Sequence, residues 1–255
     1  MPTIKTSQSN NAYWLFDEAI FPAPFPALCQ DHFKAEFWQK QGNIIGQESG
    51  RGTTYFLRHQ LEQTNYELVL RHYLRGGLIR KLSKDRYLFK HLNACRSFDE
   101  FNVLLKLNNL GLAVPKPAAA QVIRHGFTYQ ADLLTLKIPN AQDLVQVLKT
   151  QQGAAFYSTL GATIRHFHLH GVNHADLNVQ NILQDDNNKF WLIDFDRAKI
   201  VKPDTGWQQS NLKRLKRSFE KEKLRFGIQW QESDWQIFCQ SYESVNEHQS
   251  DNTDN

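Results

Sequence analysis

Cysteine is scarce in this chain: three in 255 residues, at Cys29, Cys95 and Cys239. The odd count and wide, irregular spacing exclude a disulfide framework and a cysteine zinc site, and fit thiols kept reduced in a cytosol. Long apolar runs are missing as well. No stretch approaches the ~20 apolar residues that a membrane-spanning helix needs. The opening Met1-Pro-Thr-Ile-Lys-Thr-Ser-Gln-Ser-Asn10 lacks the apolar core of an export signal, so export is not expected. Neither sign of charge dominates, the formal net charge being +4. The basic stretches carry no array of aromatics placed to stack on bases, so nucleic acid is not an expected partner.

What is present suffices for a sizeable core: 41% of the residues are hydrophobic and 12% aromatic, enough for one domain or two closely packed lobes. Residues 1–30 read as an N-terminal extension or strap. Within it residues 1–12 look loose and polar, and Phe21-Pro-Ala-Pro-Phe-Pro26 is extended and helix-averse. That segment is either a packed strap or a proline-rich ligand. Asp31 offers an N-cap to a helix through Phe33, Phe37 and Trp38, ended by Gly42. Residues 31–140 and 141–245 read as the two lobes, and 246–255 as a disordered tail.

Chemistry concentrates between residues 173 and 197. Ile182-Leu183 and Phe190-Trp191-Leu192-Ile193 are two short apolar runs joined by the polar turn Gln184-Asp-Asp-Asn-Asn188, the pattern of a small hairpin. Phosphoryl transfer needs a carboxylate to orient the attacking hydroxyl, an oxygen donor for a metal ion, and a second carboxylate to bridge metal and phosphates. Asp176, Asn181 and Asp194 supply that set in chain order. Upstream, Gly50-Arg-Gly52 precedes the β-prone Thr53-Thr-Tyr-Phe-Leu57, a turn small enough to lie against phosphates. Gly-x-Gly alone is weak evidence, since ordinary hairpin turns share it, and Tyr55 stands where a third glycine would fall.

Together, His174-x-Asp176-Leu-x-x-x-Asn181 and Asp194-Phe-Asp196, thirteen residues after Asn181, resemble the catalytic and metal-binding loops of the protein-kinase-like superfamily. The resemblance implies an α+β, bilobal fold: a mainly antiparallel β N-lobe and a mainly helical, reduced C-lobe. It places Arg71, at the end of the strand Tyr66–His72, where kinases hold the ATP phosphates with lysine. Either Arg71 or a neighbouring cation takes that role. Glu100 falls where a helical glutamate pairs with the strand cation, but Ser97 three residues before it also makes a capping box. Strands are expected around Gln121–Arg124 and Tyr129–Leu136, then a hinge near Asn140. His166, His168, His170 and His174 alternate on a helix in a way that points to different sides, a poor metal set.

Departures matter too. Ala175 replaces the arginine that pairs with a phosphorylated activation loop, Asn178 replaces a catalytic-loop lysine, Asp196 replaces glycine, and no Ala-Pro-Glu follows. These exclude a peptide-docking platform and point to a small-molecule or lipid-linked-sugar kinase; Arg197 and the basic loop are candidates to replace the lysine's charge. Arg71 to Lys90 holds seven Lys/Arg, Arg80 and Lys81 among them, against Asp85 alone. Residues 211–226 put Leu212, Leu215 and Phe219 on one helix face among seven cations, either a core helix or one that touches an anionic membrane.

Gly-Arg-Gly-Thr-Thr-Tyr-Phe, Leu-Arg-His-Tyr-Leu-Arg-Gly-Gly-Leu, Val-Pro-Lys-Pro, His-Ala-Asp-Leu-Asn, Leu-Ile-Asp-Phe-Asp and Asn-Leu-Lys-Arg-Leu-Lys-Arg-Ser-Phe are, taken together, similar to the bacterial Kdo kinases, relatives of the lipopolysaccharide core heptose kinases. The likeness runs from about Phe33 to Phe226. It implies transfer of phosphate from ATP, with Mg²⁺, to the 4-hydroxyl of 3-deoxy-D-manno-octulosonic acid (Kdo) on a lipid A precursor. The expected place is the cytoplasmic face of the bacterial inner membrane, with peripheral contact to its anionic surface. Asp176 would be the catalytic base, Asn181 and Asp194 the metal ligands, and Gly50, Gly52, Arg71 and Glu100 the nucleotide-binding residues. A heptose or other small-alcohol kinase, and a non-catalytic binding module, are the alternatives.

Overall fold

The computed structural model describes residues 2–22, 29–49, 52–76 and 84–245. They fall into two compact units. The first runs to Ile138, without Leu112–Val114; the second takes those three residues and everything from Pro139. The 246–255 tail and part of the basic loop, including Arg80 and Lys81, lie outside the described residues.

The first unit is a sheet with helices. In chain order it holds β1 (Ile4–Ser9), β2 (Ala12–Asp17), α1 (Ala35–Lys40), β3 (Ile44–Ser49), β4 (Thr53–Leu61) and β5 (Thr64–His72). β6 (Tyr87–Leu88), α2 (Arg96–Asn109), β7 (Pro117–His125) and β8 (Thr128–Leu136) complete it. The strand order is β1-β2-β7-β8-β5-β4-β3, with β6 paired to β8 and every pairing antiparallel. Alternation along β5 buries Leu68 and Leu70, as the period of a pleated strand requires. They join Trp14, Phe16, Trp38 and Leu57 in one core cluster. Full burial of a large apolar side chain stabilises a fold by about 1.5–3 kcal/mol, so this cluster fixes the sheet's register.

Three local expectations change here. The supposedly loose start is a hairpin: β1 pairs with β2 from Ile4↔Asp17 to Ser9↔Ala12, and β2 then pairs with β7. β1 is polar because it is an edge strand with little to bury. Asp31 does not cap α1; it sits in a 3₁₀ turn, Gln30–Phe33, and its carboxylate takes Lys34 Nζ at 2.8 Å. α2 starts at Arg96 rather than after Ser97, and the Ser97 hydroxyl donates to the Gln121 carbonyl at 2.8 Å. Of the proline-rich segment, Phe21 is buried and stacks on His59, with ring centroids 4.8 Å apart; residues 23–28 lie outside the described set.

The second unit is mainly helical. β9 (Gln142–Asp143), α3 (Leu144–Val147), α4 (Ala154–Leu169) and β10 (Val172–Asn173) lead to the hairpin β11 (Ile182–Gln184) and β12 (Phe190–Leu192). β13 (Lys199–Ile200), α5 (Thr205–Phe226) and α6 (Glu232–Ser244) follow. α4 packs on α6. The contact depends on Gly161, where a Cβ would fall 2.3 Å from the Phe238 carbonyl oxygen. The short strands β11 and β12 pair as the sequence predicts, Ile182 facing Leu192. Their turn is tied by Asp185, whose Oδ1 accepts the N–H groups of Asn187 and Lys189, and by Trp191 Nε1–H, which donates to Asp185 Oδ2.

A polar chain, buried from Trp14 to Asp132, crosses the first unit's sheet. Trp14 Nε1–H donates to Gln121, Gln121 donates to Asp132, and Asp132 Oδ1 lies 2.6 Å from His72 Nδ1. His72 Nε2 lies 3.2 Å from Asp85. Burial disfavours the imidazolium, but the Asp132 and Asp85 carboxylates outweigh it and hold the pKa above the ordinary histidine value. A folded-state pKa raised in this way adds stability that is complete below the unfolded value of about 6.5. The increment is lost as pH rises through the folded pKa. Urea unfolding of wild type and His72→Gln is therefore expected to differ most near pH 5.5 and to converge toward pH 9; a gap independent of pH would show that the charged form contributes nothing.

Candidate active site

Between β10 and β11 the chain has no room for a regular element and is shaped by side chains instead. Leu177 and Val179 are buried and anchor it. Asn178 Oδ1 accepts the N–H groups of Gln180 and Asn181 at 2.9 and 3.2 Å, capping the 3₁₀ turn Val179–Asn181. Asn178 Nδ2 and Asn181 Nδ2 both donate to the Asp176 carbonyl, each at 2.9 Å. Two amides on one carbonyl fix the backbone at Asp176 while its side chain stays exposed. Asn181 spends its nitrogen this way, which leaves Oδ1 as its donor atom toward a cation.

The second acidic loop follows β12. Ile193 N–H donates to the Asn181 carbonyl at 3.0 Å, setting Asp194 beside Asn181 across the ladder. Asp194 has φ +61°, a left-handed conformation that aspartate tolerates better than most residues but that is uncommon outside glycine. Phe195 is buried against the His174 ring, with centroids 4.9 Å apart.

His174 joins the loops. Its Nδ1 accepts the Asp176 N–H at 3.2 Å, and its Nε2–H donates to the Ile193 carbonyl at 3.0 Å. That pair of bonds requires the neutral ring protonated on Nε2. Burial pushes the His174 pKa below the ordinary value, so the ring remains neutral. The other three histidines serve elsewhere. His168 bonds Tyr242 at 2.7 Å and burial drives its pKa down to about 3, while His170 Nδ1–H donates locally to the His166 carbonyl.

α5 braces the same loop from behind. Asn211 Oδ1 accepts the His174 N–H at 3.1 Å, and its Nδ2 reaches Asn173 Oδ1 and the Trp207 carbonyl. Arg214 donates to the His174 carbonyl at 3.4 Å, and Ser218 Oγ accepts the Val179 N–H at 3.0 Å. The buried stripe of α5 is Gln208, Asn211, Leu215, Phe219 and Glu222, with Leu212 only half-buried. Sequence reasoning read this helix for its leucines and cations and missed Asn211 and Ser218. The available signal was Asn211 at i−4 from Leu215 and i−8 from Phe219, a polar residue on the apolar stripe.

In the first unit, Arg71 ends β5 opposite Leu133. Its Nη2 lies 2.9 Å from Glu100 Oε2, and Glu100 is 2% exposed. Tyr73 OH donates to the same oxygen. For Glu100 the geometry favours pairing with the strand arginine, since α2 takes Cys95 rather than Ser97 as its N-cap. The guanidinium groups of Arg71 and Arg96 lie 5.4 and 5.5 Å from the Tyr73 ring centroid, within cation–π range. At Gly52 a Cβ would lie 2.6 Å from Leu74 Cδ1, the movable end of a leucine side chain. Gly50 falls outside the described residues.

The donors in the second unit's loops are oxygens, an amide and a carboxylate, which suit a hard cation. Among the described residues no group of three or more His, Cys, Asp or Glu could hold a metal unaided. Magnesium in phosphoryl-transfer sites is held in that sparse way, by one or two protein oxygens plus the phosphates, so the donor set fits Mg²⁺.

Comparison with known proteins agrees with this reading. The lipopolysaccharide kinase (Kdo/WaaP) family matches residues 35–242. A 3-deoxy-D-manno-octulosonic acid kinase of Vibrio vulnificus is 47% identical over 94% of this chain and 99% of the relative. The protein of the same description from Vibrio parahaemolyticus is 45% identical over 91% and 94%, and that from Haemophilus influenzae is 45% identical over 92% and 98%. Among solved structures, one described as WaaP in complex with acyl carrier protein superposes with a TM-score of 0.51 at 16% identity, covering 83% of this chain and 86% of that one. The structural likeness carries the fold, which is α+β and protein-kinase-like. The chain belongs to the lipopolysaccharide kinase (Kdo/WaaP) family and is an enzyme, a phosphotransferase.

Proposed function

We propose that the chain transfers the γ-phosphoryl group of ATP to the 4-hydroxyl of Kdo carried on a lipid A precursor. The observation that carries this is the His174-centred loop, which leaves one exposed carboxylate, Asp176, beside Asn181 and Asp194. It stands in a chain 47% identical to a relative described as a Kdo kinase. Asp176 accepts the hydroxyl proton as the sugar oxygen bonds to the γ-phosphorus; the bond from that phosphorus to the β,γ-bridging oxygen breaks, and ADP leaves. Asn181 and Asp194 would hold Mg²⁺, which when bound neutralises charge on the phosphates. Arg71 steadies the α- and β-phosphates, Glu100 and Tyr73 aim its guanidinium, and Gly50 and Gly52 are assigned to nucleotide binding. Asn178, where related kinases carry lysine, is a loop cap here; the missing charge falls to Arg197 or the basic loop.

A lipid-borne acceptor implies work at the cytoplasmic face of the inner membrane. Among the described residues no helix is long and apolar enough to cross a membrane, so the contact proposed is peripheral.

Three outcomes test the assignment. Asp176→Ala is expected to lower kcat about 10²–10⁴-fold with an unchanged melting temperature, measured by phosphate transfer to a Kdo-bearing lipid A precursor and location of the product phosphate by mass spectrometry and NMR. Full activity would remove Asp176 from the role. Arg71→Ala should raise KM for ATP about tenfold or more and lower kcat; unchanged nucleotide kinetics would transfer the phosphate role to another cation. Asn211→Leu leaves the His174 N–H buried without an acceptor. It should lose kcat about tenfold or more at constant KM for ATP; a lower melting temperature with kcat unchanged would place Asn211 in general stability alone.

A further inference from the structure

The hairpin between β7 and β8 turns through Gly126-Phe127, with Gly126 alone at positive φ (+60°). Type II′ turns have that form, and their tips are ordinarily polar. Here Phe127 is 88% exposed, and Leu88, opposite Thr128 on the β6–β8 bridge, is 73% exposed. Phe89 N–H donates to the Phe127 carbonyl at 2.9 Å, so both apolar side chains stand on neighbouring, hydrogen-bonded backbone. Near them in the chain Lys90 and Arg124 are exposed. Arg124 is held in place: its Nε–H donates to the Gly126 carbonyl at 3.0 Å and its guanidinium lies 4.6 Å over the Phe89 ring. The one acid within residues 84–91 and 124–128 is Asp85, already bonded to His72 and Gln130.

We propose that this tip docks on an anionic lipid bilayer. Phe127 and Leu88 enter the boundary between headgroups and acyl chains, while Lys90 and Arg124 meet the lipid phosphates. Apolar side chains inside a cationic rim are the chemistry of interfacial membrane binding. A folded protein partner would need a broad complementary face; two side chains standing proud at a hairpin tip suit a fluid surface that closes around them. The inference names the surface behind the peripheral contact and rests on the reading of a lipid-borne acceptor.

The test is co-sedimentation of the full-length protein with vesicles of phosphatidylcholine plus phosphatidylglycerol and with phosphatidylcholine alone, alongside phosphate transfer to Kdo-bearing acceptor dispersed in detergent. Wild type should bind the anionic vesicles, more weakly as salt rises, and should bind the neutral ones poorly. Phe127→Ser with Leu88→Ser should lower the partition coefficient about tenfold or more, with the melting temperature and the detergent activity unchanged. Arg124→Glu should lower the partition coefficient in the same direction if the apolar pair proves hard to replace. No affinity for anionic vesicles, equal binding to neutral ones, or equal partition by both variants and wild type would overturn the proposal, and the acceptor reading would stand on its transfer assay. Vesicle binding that depends on Phe127, without phosphate transfer to the acceptor, would sink the acceptor reading and leave the docking surface in place.

Discussion

One uncharged imidazole holds the acidic loops of the second unit together. His174 receives a hydrogen bond from the residue that opens one loop and gives one to the residue before the other. Both partners are backbone groups, so the ring sets the paths of the two chains rather than the rotamers of their carboxylates. Burial keeps it neutral, and a neutral ring is the form that can accept on one nitrogen while donating from the other. Asp176 can therefore remain exposed and conformationally ready, because the order of the loop comes from groups other than its own carboxylate.

α5 extends this arrangement. Its buried stripe mixes Leu215 and Phe219, which pack, with Asn211, which takes up a loop N–H. Ser218, half-buried beside that stripe, takes up another. The Asp176 loop is thus satisfied on its inner side by a helix and on its outer side by its own asparagines, Asn178 and Asn181. Such networks stiffen a site when every member is paired. The left-handed backbone at Asp194 is tolerable in this setting because the chain on either side is fixed, by the Ile193 bonds before it and the burial of Phe195 after it.

The parts legible in the sequence were those written locally. The hairpin β11–β12 showed itself by apolar runs around a polar turn, and the acidic loops by residue types at fixed spacing. Gly42, with φ +69°, marked the end of its helix as expected. What stayed hidden depends on distant partners. Asn211 and Ser218 lie 37 and 39 residues from the N–H groups they accept, and no local pattern reports such a pairing. Ser97 and Glu100 read as a capping box because the local chemistry allows one, but Gln121 and Arg71 offer better-placed partners from neighbouring strands. β1 was unreadable because an edge strand has few apolar residues with which to announce itself.

Glu100 also constrains how this enzyme can be controlled. Arg71 and Tyr73 both bond to the same carboxylate oxygen, from β5 and the residue just past it, while Ser97 on the same helix is tied to β7. α2 is thereby latched to two strands of its own sheet. Moving α2 off the sheet would have to break the Arg71, Tyr73 and Ser97 bonds together, so control by displacing that helix alone would be costly.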